Sequence, residues 1–340
     1  MPNTSTAFGI DLGTGNIKIY NNTDGTVFRE KNMIAVINKN TLFAYGDEAF
    51  DMYEKAPANI RTSFPLANGV IADIKDMQTV LKCFITDMTE KSKFNGADFY
   101  ISVPKDITEV EKRAFYDLVK DANIKAKNVL MVDKAIADGL GLDIDVKTSQ
   151  GVMIVNVGFD TTEISILSLG GIVLSKLIKV GGRKFDEAIR NAVRREYNLM
   201  IGSKTAEKVK IALSNPEAAE EDSIVYGRDI VTGLPVERKI PTDLIESALN
   251  EHINSIIDNI KVILERTPPE LAADIYRHGI YVTGGSAKLK NLDVMINKGT
   301  NLKVNLTEDP ISTVANGLAR VIKDDNFKSV AYSIQGLSGK

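Results

Sequence analysis

The feature that most constrains the 340-residue chain is a pattern that occurs twice: a short apolar strand, a tight turn carrying glycine and threonine, and a second alternating strand. The first copy covers residues 6–21, with Asp11-Leu12-Gly13-Thr14-Gly15-Asn16 at its turn. The second is VMIVNVGFDTTEISIL, residues 152–167. Aligning the turns sets Asn156-Val157-Gly158 against Asp11-Leu12-Gly13. Two halves that open with the same hairpin predict two related α/β domains facing each other, and a chain of this length can bury two cores.

The rest of the chain supplies helices and parallel strands around these hairpins. Residues 74–92 and 108–122 carry helical periodicity, while FYISVP and NVLMVD read as buried strands. KFDEAIRNAVRREYNLM and KTAEKVKIAL are amphipathic helices, and residues 242–266 form a long one. The acidic NPEAAEEDS and the following YGRDIVTGLP read as a surface excursion in a small subdomain. Thr267 is placed as the N-cap of a further helix, with Glu270 three residues on, prolines in its first turn and Gly279 beyond its end. The strand IYVTGG then runs into Gly284-Gly285. Such a pair lets a ligand approach the main chain closely, or makes an ordinary tight turn.

Composition removes several classes of function. Lys and Arg number 42 against 45 acids, a net charge of −3, so nothing favours nucleic acid. With one cysteine, Cys83, and two histidines, His252 and His278, a zinc site or a Cys/His nucleophile lacks material, and Cys83 reads as a core residue of an apolar helix. No run approaches the roughly 18 apolar residues of a membrane span and the N-terminus lacks a signal pattern, so a cytoplasmic protein is expected.

The two turns point to phosphate chemistry of an uncommon kind. DLGTGN lacks the third glycine of a dinucleotide fingerprint, and no GxxxxGK[ST] occurs. A hairpin turn of this composition can instead aim successive main-chain N–H groups and a hydroxyl at phosphate oxygens. Asp11, at its lip, is placed to orient water on Mg²⁺. Two such hairpins opposed across a cleft would clamp a triphosphate from both sides.

FGIDLGTGNIKIY, SVPKDITEVEKRAF, GFDTTEISILSLGGIV, GSKTAEKVKI, TGLP, ERTPPELAADIYRHGIYVTGGSAKLKNLD and EDPISTVANGLA, taken in order, resemble the MreB family of bacterial actin-like ATPases over nearly the whole chain. The resemblance implies an α/β actin-like (ribonuclease H-like) fold. Its two large domains are expected at 1–147 and 148–340, with small subdomains at about 30–72 and 182–243 and a C-terminal helix returning to the first domain. It also implies ATP with Mg²⁺ in the interdomain cleft and filaments, with itself and with paralogues, on the inner face of the cell membrane for shape or motility. Absence of tryptophan fits a genome of low GC content, and several such paralogues coexist in wall-less helical bacteria. Membrane contact is expected through Phe94, beside Lys93 in EKSKFNGADF.

Carried over by residue, Gly13, Thr14, Gly15 and Asn16 form the first phosphate loop, with Asp11 near the metal. Gly158, Phe159, Asp160, Thr161 and Thr162 form the second. Glu207 and Lys210 meet the nucleoside, although such a pair alone suggests a solvated helix face, and Gly284, Gly285, Ser286 and Lys288 form the adenosine-side loop. Lys18 either reaches a phosphate or is an exposed strand lysine.

The departures from the family fall on catalysis. Lys134 stands where the family has the glutamate that positions the attacking water, Asn156 replaces an aspartate, and Phe159 and Asp160 replace glycines. Each weakens hydrolysis more than binding, so ATP binding with slow turnover is expected. Lys134 and Asp160 are expected to pair across the site. A small-molecule kinase of the same superfold is the alternative, and it lacks an evident base aspartate; a chaperone of the Hsp70 type would need a longer C-terminal region.

Overall fold

The protein is represented by a computed structural model, which describes residues 6–38, 41–89, 95–213 and 223–334. Two five-stranded sheets dominate it. The first runs, in spatial order, Ala126–Asp133, Ala97–Val103, Ala7–Leu12, Asn16–Asn21 and Val27–Lys31. The second runs Val304–Leu306, Ile280–Thr283, Val152–Val157, Thr162–Ser168 and Gly171–Ile178. Read in this direction each sheet has two parallel pairings and then two antiparallel ones, so the repeated hairpin is the visible part of a repeated topology. Smaller sheets flank them: Ile34–Ile37 with Thr41–Tyr45 and Ile60–Ser63 in the first half, and Leu199–Met200 with Ser223–Asp229 and Pro235–Ile240 in the second.

Strand alternation decides what each sheet face meets. Phe8, Ile10 and Leu12 pack on one side with Met77, Leu81 and Phe84 of the helix Ile74–Thr89 and with Phe115 and Leu118 of the helix Glu109–Asp121. Ala7, Gly9 and Asp11 therefore face the other way, toward a central layer made by two helices, Lys134–Gly141 and Thr313–Lys323. A side chain on Gly9 would lie 2.8 Å from Leu318 Cβ, so this glycine lets the Thr313 helix approach the sheet. The second sheet covers the other side of that layer through Val152, Ile154 and Leu167. Its outer face buries Phe185, Ile189, Ile253 and Ile256 of the helices Gly182–Tyr197 and Thr242–Glu265.

Several local expectations change. The KFDEAIR helix stops at Tyr197, where Asn198 turns left-handed at φ 51° and Leu199–Met200 joins a strand pair. YGRDIVTGLP folds as part of a hairpin, and of NPEAAEEDS only Ser223 is described. Thr267 caps nothing in the helix Pro269–His278: its hydroxyl donates to Ile263 O and closes the preceding helix. Gly279, at φ 85°, ends that helix as expected. Cys83 is half-buried on its helix rather than fully in the core. Phe94 and Lys93 lie outside the described residues. Among the described residues no helix is long and apolar enough to cross a membrane.

Candidate functional site

Between the two sheets lies a cleft of about 540 Å³, within the range of small-molecule sites. It is lined by Asp11, Gly13, Thr14, Gly15, Asn16 and Lys18 of the first hairpin and by Asn156, Gly158, Phe159, Asp160 and Thr161 of the second. Lys134, Glu207, Lys210, Gly284, Gly285, Ser286 and Lys288 are also among its lining residues. Five separate sequence segments singled out above thus converge on one cavity. Thr162 is the exception: it is fully buried and its hydroxyl donates to Val180 O, away from the cleft.

The loops are built from the main chain. Asn32 holds the first from behind, its Nδ2 donating to Gly13 O and its N–H to Gly15 O. In the second, Gly158 N–H donates to Thr161 O, and Gly182 and Arg183 N–H bind the carbonyls of Gly158 and Phe159. Ser286 Oγ donates to Gly158 O and ties the adenosine-side loop to it. These bonds use the carbonyls and leave the N–H groups of Thr14, Gly15, Phe159, Asp160, Thr161 and Gly285 with no protein acceptor among the described residues. Main-chain donors left over at the wall of a cleft suit an anionic ligand with many oxygens. Two opposed rows of them suit a polyphosphate.

At the floor, Asp11 is buried and both its oxygens are taken. Oδ2 accepts from Lys18 Nζ at 2.7 Å, and Oδ1 lies 3.0 Å from Ser102 Oγ and 3.3 Å from Lys134 Nζ. Burial alone would raise the Asp11 carboxyl, but Lys134 and Lys18 outweigh it and hold it well below the usual range. Lys134 is pushed down by burial and up by Asp11, Glu163 and Asp138, and the acids win. Its ammonium is therefore firmly charged. Lys18 is no exposed strand lysine: it is 8% exposed and sits directly across the hairpin from Asp11.

The expected Lys134–Asp160 pair does not form. Asp160 Oδ1 lies 2.8 Å from Arg183 Nε, and its Oδ2 accepts from Asn68 N–H in the first half of the chain. Arg183 lies over the rings of Phe64 and Phe159, 4.9 and 5.0 Å from their centroids. Phe159 also fills the space beside Gly15, where a Cβ would come within 2.8 Å of its ring. The two residues that replace glycines are thus spent bridging the halves. Asp133 points elsewhere, to Tyr332 and Lys105. Lys31 to Glu207 at 3.2 Å and Glu54 to Ser203 add further bridges between the two halves of the chain. Lys210 binds Asp186 at 2.8 Å and Gly182 O.

Two acids that sequence reasoning passed over matter here, Asp138 and Glu163. Asn156 donates Nδ2 to Asp138 Oδ2 at 2.7 Å, and Thr283 donates to the same oxygen. Asp138, fully buried, is one helical turn from Lys134 and so could have been found from i, i+4 spacing. Glu163 alternates inward from the second hairpin and is pushed by burial to about 7, against the pull of Lys134. Because the folded state holds this proton and the unfolded state releases it near 4.5, stability should be greatest below that value. It should fall as pH rises toward 7, by on the order of 2 to 3 kcal/mol. Urea unfolding across pH 4.5–8 with Glu163→Gln as comparison checks this; equal slopes for both chains would contradict it.

A divalent cation fits this floor poorly. Mg²⁺ is held through oxygen ligands and its own waters, which carboxylates accept, yet Asp11 is engaged by two ammonium groups and Asn156 by Asp138. No group of three His, Cys, Asp or Glu able to hold a metal occurs among the described residues.

Comparison with known proteins agrees with the geometry. The family model described as MreB/Mbl protein matches residues 5–329. The cell shape-determining protein Mbl of Bacillus subtilis is 38% identical over 314 residues, covering 91% of this chain and 93% of that protein. The crystal structure of MreB 5 of Spiroplasma citri bound to AMPPNP superposes with a TM-score of 0.90 at 36% identity, covering 97% of this chain and 99% of that one. The MamK double helical filament, 21% identical with a TM-score of 0.77 and covering 94% and 99%, shares the fold. The fold is actin-like, and the chain belongs to the MreB/Mbl family.

Proposed function

We propose that the chain binds ATP in the cleft, hydrolyses it slowly, and polymerises with itself and with paralogues into filaments on the inner face of the cytoplasmic membrane. The observation that carries the nucleotide reading is the pair of loops that line one cavity and whose main-chain donors have no protein acceptor among the described residues. The nucleotide-bound structure of the Spiroplasma citri relative supports it, and the filament reading rests on the cytoskeletal relatives. The domain division at 147/148, with small subdomains near 30–72 and 182–243, belongs to the same proposal, and the two large sheets with their flanking small sheets support it.

Triphosphate oxygens would accept from Thr14, Gly15, Asp160 and Thr161 N–H, while Glu207, Lys210, Ser286 and Lys288 enclose the nucleoside end. The expected Mg²⁺ would supply positive charge to the phosphates, but both oxygens of Asp11 are engaged by lysines and Asn156 would offer only its neutral Oδ1 to the ion's waters, and no step here runs through it. Hydrolysis needs a group that accepts a proton from water. Lys134, charged and held on Asp11, has three N–H donors and no lone pair to offer. Losing such a base removes about 10²- to 10⁴-fold in rate. Phosphate release should accordingly be slower than that of the Mbl relative by that factor, and Lys134→Glu should raise it by about 10²-fold or more. Release as fast as the relative's by the unaltered chain would contradict the reading, and sedimentation with ATP tests the filament.

A further inference from the structure

We propose that the ammonium groups of Lys134 and Lys18 stand in for a divalent cation, so that the cleft takes its nucleoside triphosphate as the metal-free anion. This rests on the nucleotide reading above and goes beyond it. A triphosphate brought between the loops carries several negative charges that main-chain dipoles only partly offset. In most nucleotide sites a magnesium ion offsets the remainder, its waters accepted by carboxylates.

Here the charges are arranged the other way round. Both oxygens of Asp11 are occupied, by Lys18 Nζ at 2.7 Å and Lys134 Nζ at 3.3 Å. Position 156 offers an amide whose Nδ2 is bound to Asp138, and Asp138 is buried beneath it. Relative to the family pattern, an acid has become a lysine and an aspartate an asparagine, so the side chains that meet the cleft at these two positions are more positive than the family's. Glu163 also lines the cleft and acts on Lys134, and burial favours its neutral form. A lysine ammonium has three donors. With one committed to Asp11, Lys134 keeps two, its side chain is 20% exposed, and it lines the cavity. A cation placed beside it would be repelled, whereas a phosphate oxygen would be attracted.

The test is the affinity of a fluorescent ATP analogue for the full chain, measured by anisotropy in excess Mg²⁺ and again in EDTA. The inference expects the two dissociation constants to agree within about threefold, since the offsetting charge is built in. Lys134→Gln and Lys134→Glu should each restore a dependence on Mg²⁺ of tenfold or more, with thermal melting confirming that each variant is folded. A tenfold or greater loss of affinity in EDTA by the unaltered chain would overturn the inference and leave the nucleotide reading intact. Absence of binding in either buffer would remove both. If the unaltered chain ignores Mg²⁺ and folded Lys134→Gln ignores it equally, the assignment to Lys134 is wrong.

Discussion

Asn156→Asp, a change that restores the family's carboxylate, is expected to cost about 2–4 kcal/mol of stability at pH 7.5 and to recover most of it by pH 5. Asn156 Nδ2 now donates to Asp138 Oδ2 at 2.7 Å, in a site where Asp138 has no solvent exposure. The substitution would replace that donor with an acceptor and set two carboxylates at hydrogen-bond distance. Burial already raises Asp138, and a second anion would raise the pair further until it held one proton in common. The folded state would then bind a proton that the unfolded state releases near 4, so stability must fall as pH rises through the raised value of the pair. Urea denaturation at pH 5, 6, 7 and 8 reads this directly. A variant as stable as its parent at pH 7.5 would show that the two side chains are not in contact. The same geometry explains why position 156 tolerates an amide: the local negative charge has moved to Asp138, one turn along the Lys134 helix.

Gly317→Ala should be as damaging for a steric reason, with an expected loss of about 3 kcal/mol or more. The helices Lys134–Gly141 and Thr313–Lys323 touch main chain to main chain: a Cβ at Gly317 would lie 1.6 Å from Ala137 O, and one at Gly141 would lie 1.8 Å from Thr313 O. No rotamer relieves a clash with a carbonyl, so the helices must separate. They form the layer shared by both sheets, and Lys134 is the first residue of one of them. Separation would also shift Lys134 from Asp11 and weaken the floor of the cleft. Asn316→Ala, on the exposed face of the same turn, should change stability by less than about 0.5 kcal/mol. Thermal unfolding of the two variants side by side checks the contrast, and similar melting temperatures would contradict it.

The sequence made the two hairpins legible because alternation and glycine placement are local properties. The hairpin register even held the Asp11–Lys18 pair, since a turn that closes at residues 12 and 17 sets 11 across from 18. What local reasoning could not supply was the direction of side chains brought in by other elements. Asp160 reads as a partner for Lys134 when only the cleft is considered. Arg183 enters with the first turn of the next helix, anchored by its N–H on Phe159 O, and takes the carboxylate instead. Thr267 reads as an N-cap because Glu270 follows at the right spacing, but its hydroxyl instead donates at 2.8 Å to the carbonyl of Ile263 in the last turn of the preceding helix, which also accepts from Arg266 N–H. The repeated hairpin already pointed to two related domains, but the order of the parallel strands beside it could not be read from pattern alone, as those neighbours come from segments with no common spacing.

The central claim is that the triphosphate is held by the main chain of two opposed loops. Hydrogen exchange followed by mass spectrometry, with and without saturating ATP, tests it at the residues concerned. The account expects slowed exchange in peptides carrying Thr14–Gly15 and Phe159–Thr161, on both sides of the cleft at once. ATP bound to the chain with exchange unchanged in either loop would contradict it.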